Sequence, residues 1–248
     1  MSPGDAWIDL AWLIAAIAGI FTLLILRATA GLFLFDHGSE IVVQPFAIGI
    51  VLLLVTRWLL RRRGQTTAAI GLARYPVSAA VGWGLLAWLF CVILNAVIVP
   101  LLLVFSGGNH LENVLAERTE MIQIMASAPP YWILPMTLFV GVYEEIVFRG
   151  LLLSRLRLAL GGSAAASVLV SAALFGLLHL SQGTLAAVQV FLMGVVFAIV
   201  ATRRCSLWPC VVAHAVWDIL AFVMSFALRD YLPQIGAAAS QAASRAAG

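Results

Sequence analysis

Chemically active side chains recur four residues apart in the C-terminal part of the chain. Glu145 and Arg149 form one such pair, with a second acid, Glu144, directly before it; His214 and Asp218 form another, and Phe175 stands four residues before His179. Residues at i and i+4 share a helix face, and an acid N-terminal to its base is the favourable order for an ion pair. A carboxylate one turn from an imidazole can accept a hydrogen bond from one ring nitrogen and so fix the tautomer. Adjacent helical residues point about 100° apart, so Glu144 and Glu145 cannot engage Arg149 equally. Glu145 with Arg149 is expected to act as a neutralised brace, leaving Glu144 as a free carboxylate suited to general acid or base work.

These residues sit in apolar runs. The acids and Arg149 interrupt a stretch from Trp132 to Leu153, and charges at membrane depth are expensive enough to mark function by default. The 248 residues are 63% hydrophobic and 10% charged, against roughly 25% charged in ordinary soluble domains. This composition identifies an integral membrane protein and one all-α domain, a polytopic transmembrane bundle over residues 1–235, with an Ala/Ser-rich tail, 236–248, expected to be disordered. The net charge of +3 does not indicate nucleic acid, because the basic residues are all arginine and mostly flank apolar spans. Cys91, Cys205 and Cys210 offer neither a CxxC pair nor an even framework, and are expected to be small buried residues.

About seven spans are expected, near Trp7–Leu26, Ile41–Leu60, Val77–Phe105, Tyr131–Leu153, Ser163–Leu180, Thr184–Thr202 and Leu207–Leu228. The first is read as a retained span rather than a signal peptide, since it lacks a basic n-region and carries Asp5 and Asp9 near its start. Asp36–Glu40 reads as a polar turn, and Gly161-Gly162 as a helix break. Asn95 is expected to make a packing hydrogen bond between helices. Within the 106–130 connector, Leu111, Val114, Leu115, Met121, Ile122 and Met125 recur at helical spacing, which predicts a short amphipathic helix on the membrane surface. His37 and His110 fall in connectors and are expected to meet solvent.

Nine arginines (Arg57, Arg61, Arg62, Arg63, Arg74, Arg155, Arg157, Arg203 and Arg204) fall at or between the ends of spans two, four and six and the starts of the next. The positive-inside rule then predicts a cytoplasmic N-terminus and an external C-terminus. By the helical rise, Glu144 lies about 20 Å from the external end of its span and His214 about 10 Å from the cytoplasmic end of its own. His179 joins them only if the Ser181-Gln182-Gly183 turn lies within the membrane and is shielded by protein.

Glu144-Glu145-x-x-x-Arg149, Phe175-x-x-x-His179 and His214-x-x-x-Asp218, in this order on separate spans, resemble the three motifs of the CAAX protease and bacteriocin-processing family of intramembrane glutamic endopeptidases, related to the type II CAAX prenyl endopeptidases. The resemblance covers roughly residues 131–228. It implies hydrolysis of a peptide bond in a membrane-associated or lipidated substrate, in a bacterial inner membrane. Glu144 would activate water with His179 as its helper, His214 and Asp218 would hold the oxyanion, and Glu145, Arg149 and Phe175 would support the site. The prenyl endopeptidases usually have Asn in place of Asp218, and an Asp donates no hydrogen bond unless protonated. The residues themselves suggest instead that Asp218 orients His214, whose other N–H meets the oxyanion. No cofactor is expected. The competing chemistry is a divalent metal such as zinc held by Glu144, His179 and His214, although an HExxH pair is absent. Two other readings use the same residues: a membrane transporter lined by a polar cluster, and a non-proteolytic immunity or scaffold protein.

Overall fold

The computed structural model describes residues 1–32, 37–105 and 108–231, apart from the side chains of residues 37, 38, 41, 103, 105 and 108–115. The expected tail 236–248 and Asp36 lie outside the described residues, as do the side chains of His37, His110, Leu111, Val114 and Leu115. The helices are α1 (Pro3–Thr29), α2 (His37–Arg62), α3 (Val77–Phe105), α4 (Gly108–Ser127), α5 (Ile133–Glu144), α6 (Leu153–Ala159), α7 (Ala164–Leu177), α8 (Thr184–Arg204) and α9 (Trp208–Leu228). A π-helix, Glu145–Leu152, joins α5 to α6.

Local chemistry sets several of these boundaries. Ser2 and Asp5 form a reciprocal capping box at the start of α1, with Pro3 in its first turn, which satisfies backbone donors that a helix start leaves open. Ser163 caps α7, after Gly161 and Gly162 take positive φ angles of 63° and 86°. His37–Glu40 belong to the first turn of α2 rather than to a turn between spans. Glu40 there stands at the favourable, N-terminal end of the helix dipole and pairs with Arg27 from the last turn of α1.

The membrane bundle expected from composition is present. α1, α3, α8, α9 and the Val42–Arg62 part of α2 are each long and apolar enough to cross a bilayer. The fourth span is composite, running without a break through α5, the π-helix and α6, and so extends six residues beyond Leu153. The fifth departs from expectation. α7 has only 14 residues, about 21 Å of helix against about 30 Å of hydrocarbon, too short to cross alone. α4 confirms a helix in the 106–130 connector.

α7 packs on α8, α3 on α9, and α5 on both α2 and α9. Small residues permit these close approaches. A Cβ at Gly84 of α3 would come within 2.6 Å of Val212 on α9, and one at Gly176 of α7 within 2.8 Å of the Ala187 carbonyl on α8. Asn95 bonds within its own helix, donating to the Cys91 carbonyl at 2.9 Å, rather than between helices. Cys91 and Cys210 are buried as expected, but Cys205 is exposed, in the left-handed turn that closes α8.

A buried ion network ties the N-terminus to the composite span. Asp9 is fully buried; it accepts from Arg155 Nε at 2.9 Å and from Arg63 Nε at 3.0 Å. Arg155 also donates to Gln65 at 2.6 Å, and Arg63 to Asp5 at 2.6 Å. The start of α1, the end of α2 and α6 therefore share one face of the bundle. Leu207 N donates to the Gly71 carbonyl at 3.1 Å, which adds the α2–α3 and α8–α9 connectors to that face. Removing one partner of a buried pair typically costs about 3–5 kcal/mol. Asp9→Ala is therefore expected to lower the unfolding temperature of the purified protein in detergent, while Arg157→Ala, at an exposed position, leaves it unchanged; scanning fluorimetry of both variants checks this.

Candidate active site

The change of helical register falls between the two adjacent acids, with Glu144 ending α5 and Glu145 opening the π-helix. In the wider i→i+5 pattern, Leu153 N donates to the Phe148 carbonyl, which also accepts from Ser171 Oγ of α7 at 3.2 Å. Nothing in the sequence separates this π segment from an α-helix. π segments of this kind occur often at functional sites.

Glu145 is fully buried and its Oε1 accepts twice, from Arg149 Nη1 at 2.9 Å and from His214 Nδ1 at 2.8 Å. The guanidinium of Arg149 stacks over the Phe175 ring at 4.1 Å and lies 5.4 Å from that of Phe197, a cation–π arrangement that covers the cation with hydrocarbon. The brace expected between Glu145 and Arg149 is thus present and does a second job, that of orienting His214.

This corrects the role expected of Asp218. The other nitrogen, His214 Nε2, lies 3.7 Å from Asp218 Oδ2 and 3.6 Å from Glu144 Oε2. The Nδ1 partner comes from another helix, 69 residues away in sequence, and no i+4 pattern could announce it. Glu144 and Asp218 instead flank the outward nitrogen.

Tyr143 was passed over by the motif spacing. Its hydroxyl donates to Glu144 Oε1 at 3.1 Å, leaving Oε2 toward His214. Gly49 of α2 makes room for this ring, since a Cβ there would lie 2.5 Å from both Tyr143 and Phe139. A buried tyrosine needs a partner for its hydroxyl, and the neighbouring acid was the available signal.

His179 lies beyond the end of α7, not on it. Its backbone leaves helical geometry at φ −100°, ψ 8°, yet its ring keeps an edge-on contact with Phe175 at 4.8 Å. His179 Nδ1–H donates to the Phe175 carbonyl at 2.8 Å. A carbonyl can only accept, so the neutral ring carries its proton on Nδ1 and keeps the Nε2 lone pair free.

One cavity of about 980 Å³ is lined by Glu144, His179, His214 and Asp218 together, with Tyr143 and Phe175. Ser181 and Gln182 also line it, yet both are exposed, so the described residues do not give the turn after His179 the shielding that irregular backbone at membrane depth requires. The rest of the lining is mainly aliphatic and aromatic. Among the described residues, no three His, Cys, Asp or Glu side chains gather as metal ligands. In the alternative set of Glu144, His179 and His214, the Nδ1 atoms of both histidines are already bonded within the protein.

The helical membrane bundle thus carries a cluster of acids and imidazoles that opens into a mainly apolar cavity. Residues 126–220, fewer than half of the chain, match the family of Type II CAAX prenyl endopeptidase Rce1-like proteins. No curated protein and no solved structure matches the chain. The matched segment contains all seven motif residues and none of α1, α2 or α3.

If Glu145 rather than Asp218 orients His214, the two acids respond differently to substitution. Asp218→Asn is expected to leave the His214 Nδ1–H environment intact and Glu145→Gln to alter it, as read from imidazole 15N chemical shifts of labelled protein.

Proposed function

We propose that this CAAX-type intramembrane protease hydrolyses its substrate by a glutamate-activated water, without a metal. The observation that carries this reading is the convergence on one cavity of a tyrosine-held carboxylate, an imidazole with a free Nε2 and a second imidazole locked from behind by Glu145. Glu144 takes a proton from water as the oxygen attacks the scissile carbonyl carbon, and His179 Nε2 accepts the second hydrogen bond of that water. His214, held at Nδ1, donates from Nε2 to the developing oxyanion, and Asp218 stabilises the imidazolium. The proton held by Glu144 then passes to the leaving amine nitrogen as the C–N bond breaks, giving a carboxylic acid and an amine.

The cavity also suggests a side of entry. Its lining comes from the later part of α1, Ile17–Ala28, the early part of α2, Gln44–Leu52, and the later part of α9, up to Met224. All three lie away from the face that gathers Asp9, Arg63 and Arg155. If that arginine-rich face is cytoplasmic, the substrate is a membrane-associated peptide approaching from the external half of the bilayer, and the N-terminus is cytoplasmic.

Membranes containing the wild type, incubated with lipidated peptides and with leader-type peptides, are expected to yield cleavage products by mass spectrometry that Glu144→Gln membranes do not. Equal products from both would sink the glutamate mechanism. His214→Ala is expected to lose a factor of about 100 to 1,000 in rate, the usual loss of one oxyanion donor. Tyr143→Phe should retain the fold and lose part of kcat with little change in KM, and exhaustive chelation should leave the wild-type rate intact.

A further inference from the structure

Among the described residues, Arg118 on α4 is the single arginine lining the cavity, and the chain contains no lysine. It is half-buried, and its Nη2 is shielded from solvent without a hydrogen-bond partner among the described residues. It makes no ion pair among the described residues. Its neighbour Glu117 packs onto Gly183, where an added Cβ would collide with Glu117 Oε2. That contact fixes the Arg118 end of α4 over the turn that carries His179. Burial pulls the guanidinium below its ordinary pKa, and Glu117 opposes this; an arginine nonetheless stays charged at neutral pH.

A desolvated guanidinium without an acceptor is destabilising, and its planar donors match an oxyanion. The other charged side chains of the cavity, Glu144 and Asp218, are acids beside His214. They repel an anionic ligand from the hydrolytic end and leave Arg118 as its anchor. Resting on the proteolytic reading above, we infer that Arg118 is a substrate-binding residue that holds a carboxylate of the peptide and so sets the direction in which the chain crosses the cavity. The carboxylate can be the C-terminus of the peptide or an acidic side chain.

The test is binding to the full-length Glu144→Gln protein in neutral detergent, so that no cleavage intervenes. The probe is a sequence-randomised pool of short dansyl-labelled S-hexadecyl peptides. It is prepared with a free C-terminus, as the C-terminal amide, and as an amide lacking Asp and Glu. Fluorescence polarisation is expected to show at least one carboxylate-bearing pool binding roughly tenfold more tightly than the carboxylate-free pool, the size of one charged hydrogen bond. Adding Arg118→Gln should erase the difference and Arg118→Lys should keep part of it, which separates loss of charge from loss of fold. Preference for the free acid over both amides identifies the C-terminus; loss only with the pool lacking Asp and Glu identifies a side chain. The inference is overturned if no pool is preferred, if the preference survives Arg118→Gln, or if Arg118 affects only competition by phosphatidylglycerol, which would mark a lipid phosphate site. Arg118-dependent binding without cleavage of any pool by the wild type would retain the subsite and sink the proteolytic reading instead.

Discussion

The shared oxygen of Glu145 is the constraint around which the site is built. A single carboxylate oxygen accepts from Arg149 one helical turn away and from His214 on α9, so one buried anion fixes both a cation and the His214 imidazole. A carboxylate at 0% exposure is tolerable only when such partners are present. The aromatic cover from Phe175 and Phe197 excludes water from the arrangement. Glu144, one residue earlier, is outside it. The neighbouring acids thus differ: Glu145 takes two protein donors on Oε1 and keeps a buried Oε2 without one among the described residues, while Glu144 holds one protein hydrogen bond and faces a cavity.

The bundle serves this division by bringing three elements together. α5 and its π extension carry the acids, α9 carries His214 and Asp218, and the end of α7 carries His179. α7 stops short of the bilayer thickness, and that early end is what brings His179 to the cavity. α4, less apolar than the spans, lies against α9 and meets the turn through Glu117 at Gly183. A second charged network around Asp9 secures the opposite end of the composite span.

Much of this was legible in the sequence because charge in a long apolar run has few physical excuses. Glu144, Glu145, Arg149, His179, His214 and Asp218 stood out for that reason, and their order on separate spans carried the family resemblance. What remained hidden were contacts between distant parts of the chain. Asp9 and Arg155 are 146 residues apart, and each reads alone as an ordinary charge near a span end. The partner of His214 was misread because an i+4 acid is visible in sequence and a tertiary one is not. The end of α7 before His179 was equally obscure, since Leu177–Leu180 continues an apolar pattern after backbone geometry has changed.

The π-helix has a consequence for which changes of length the chain can absorb. Glu145 and Arg149 satisfy the catalytic end of this segment, and Arg155, six residues further on, must reach Asp9 at the other end. Each residue added to or removed from a helix turns everything beyond it by about 100°. A single-residue deletion between Arg149 and Arg155 would keep the first pairing and swing the second away from its carboxylate. Length in this stretch is therefore under joint control from both ends, and substitutions there should be far easier to accommodate than insertions or deletions.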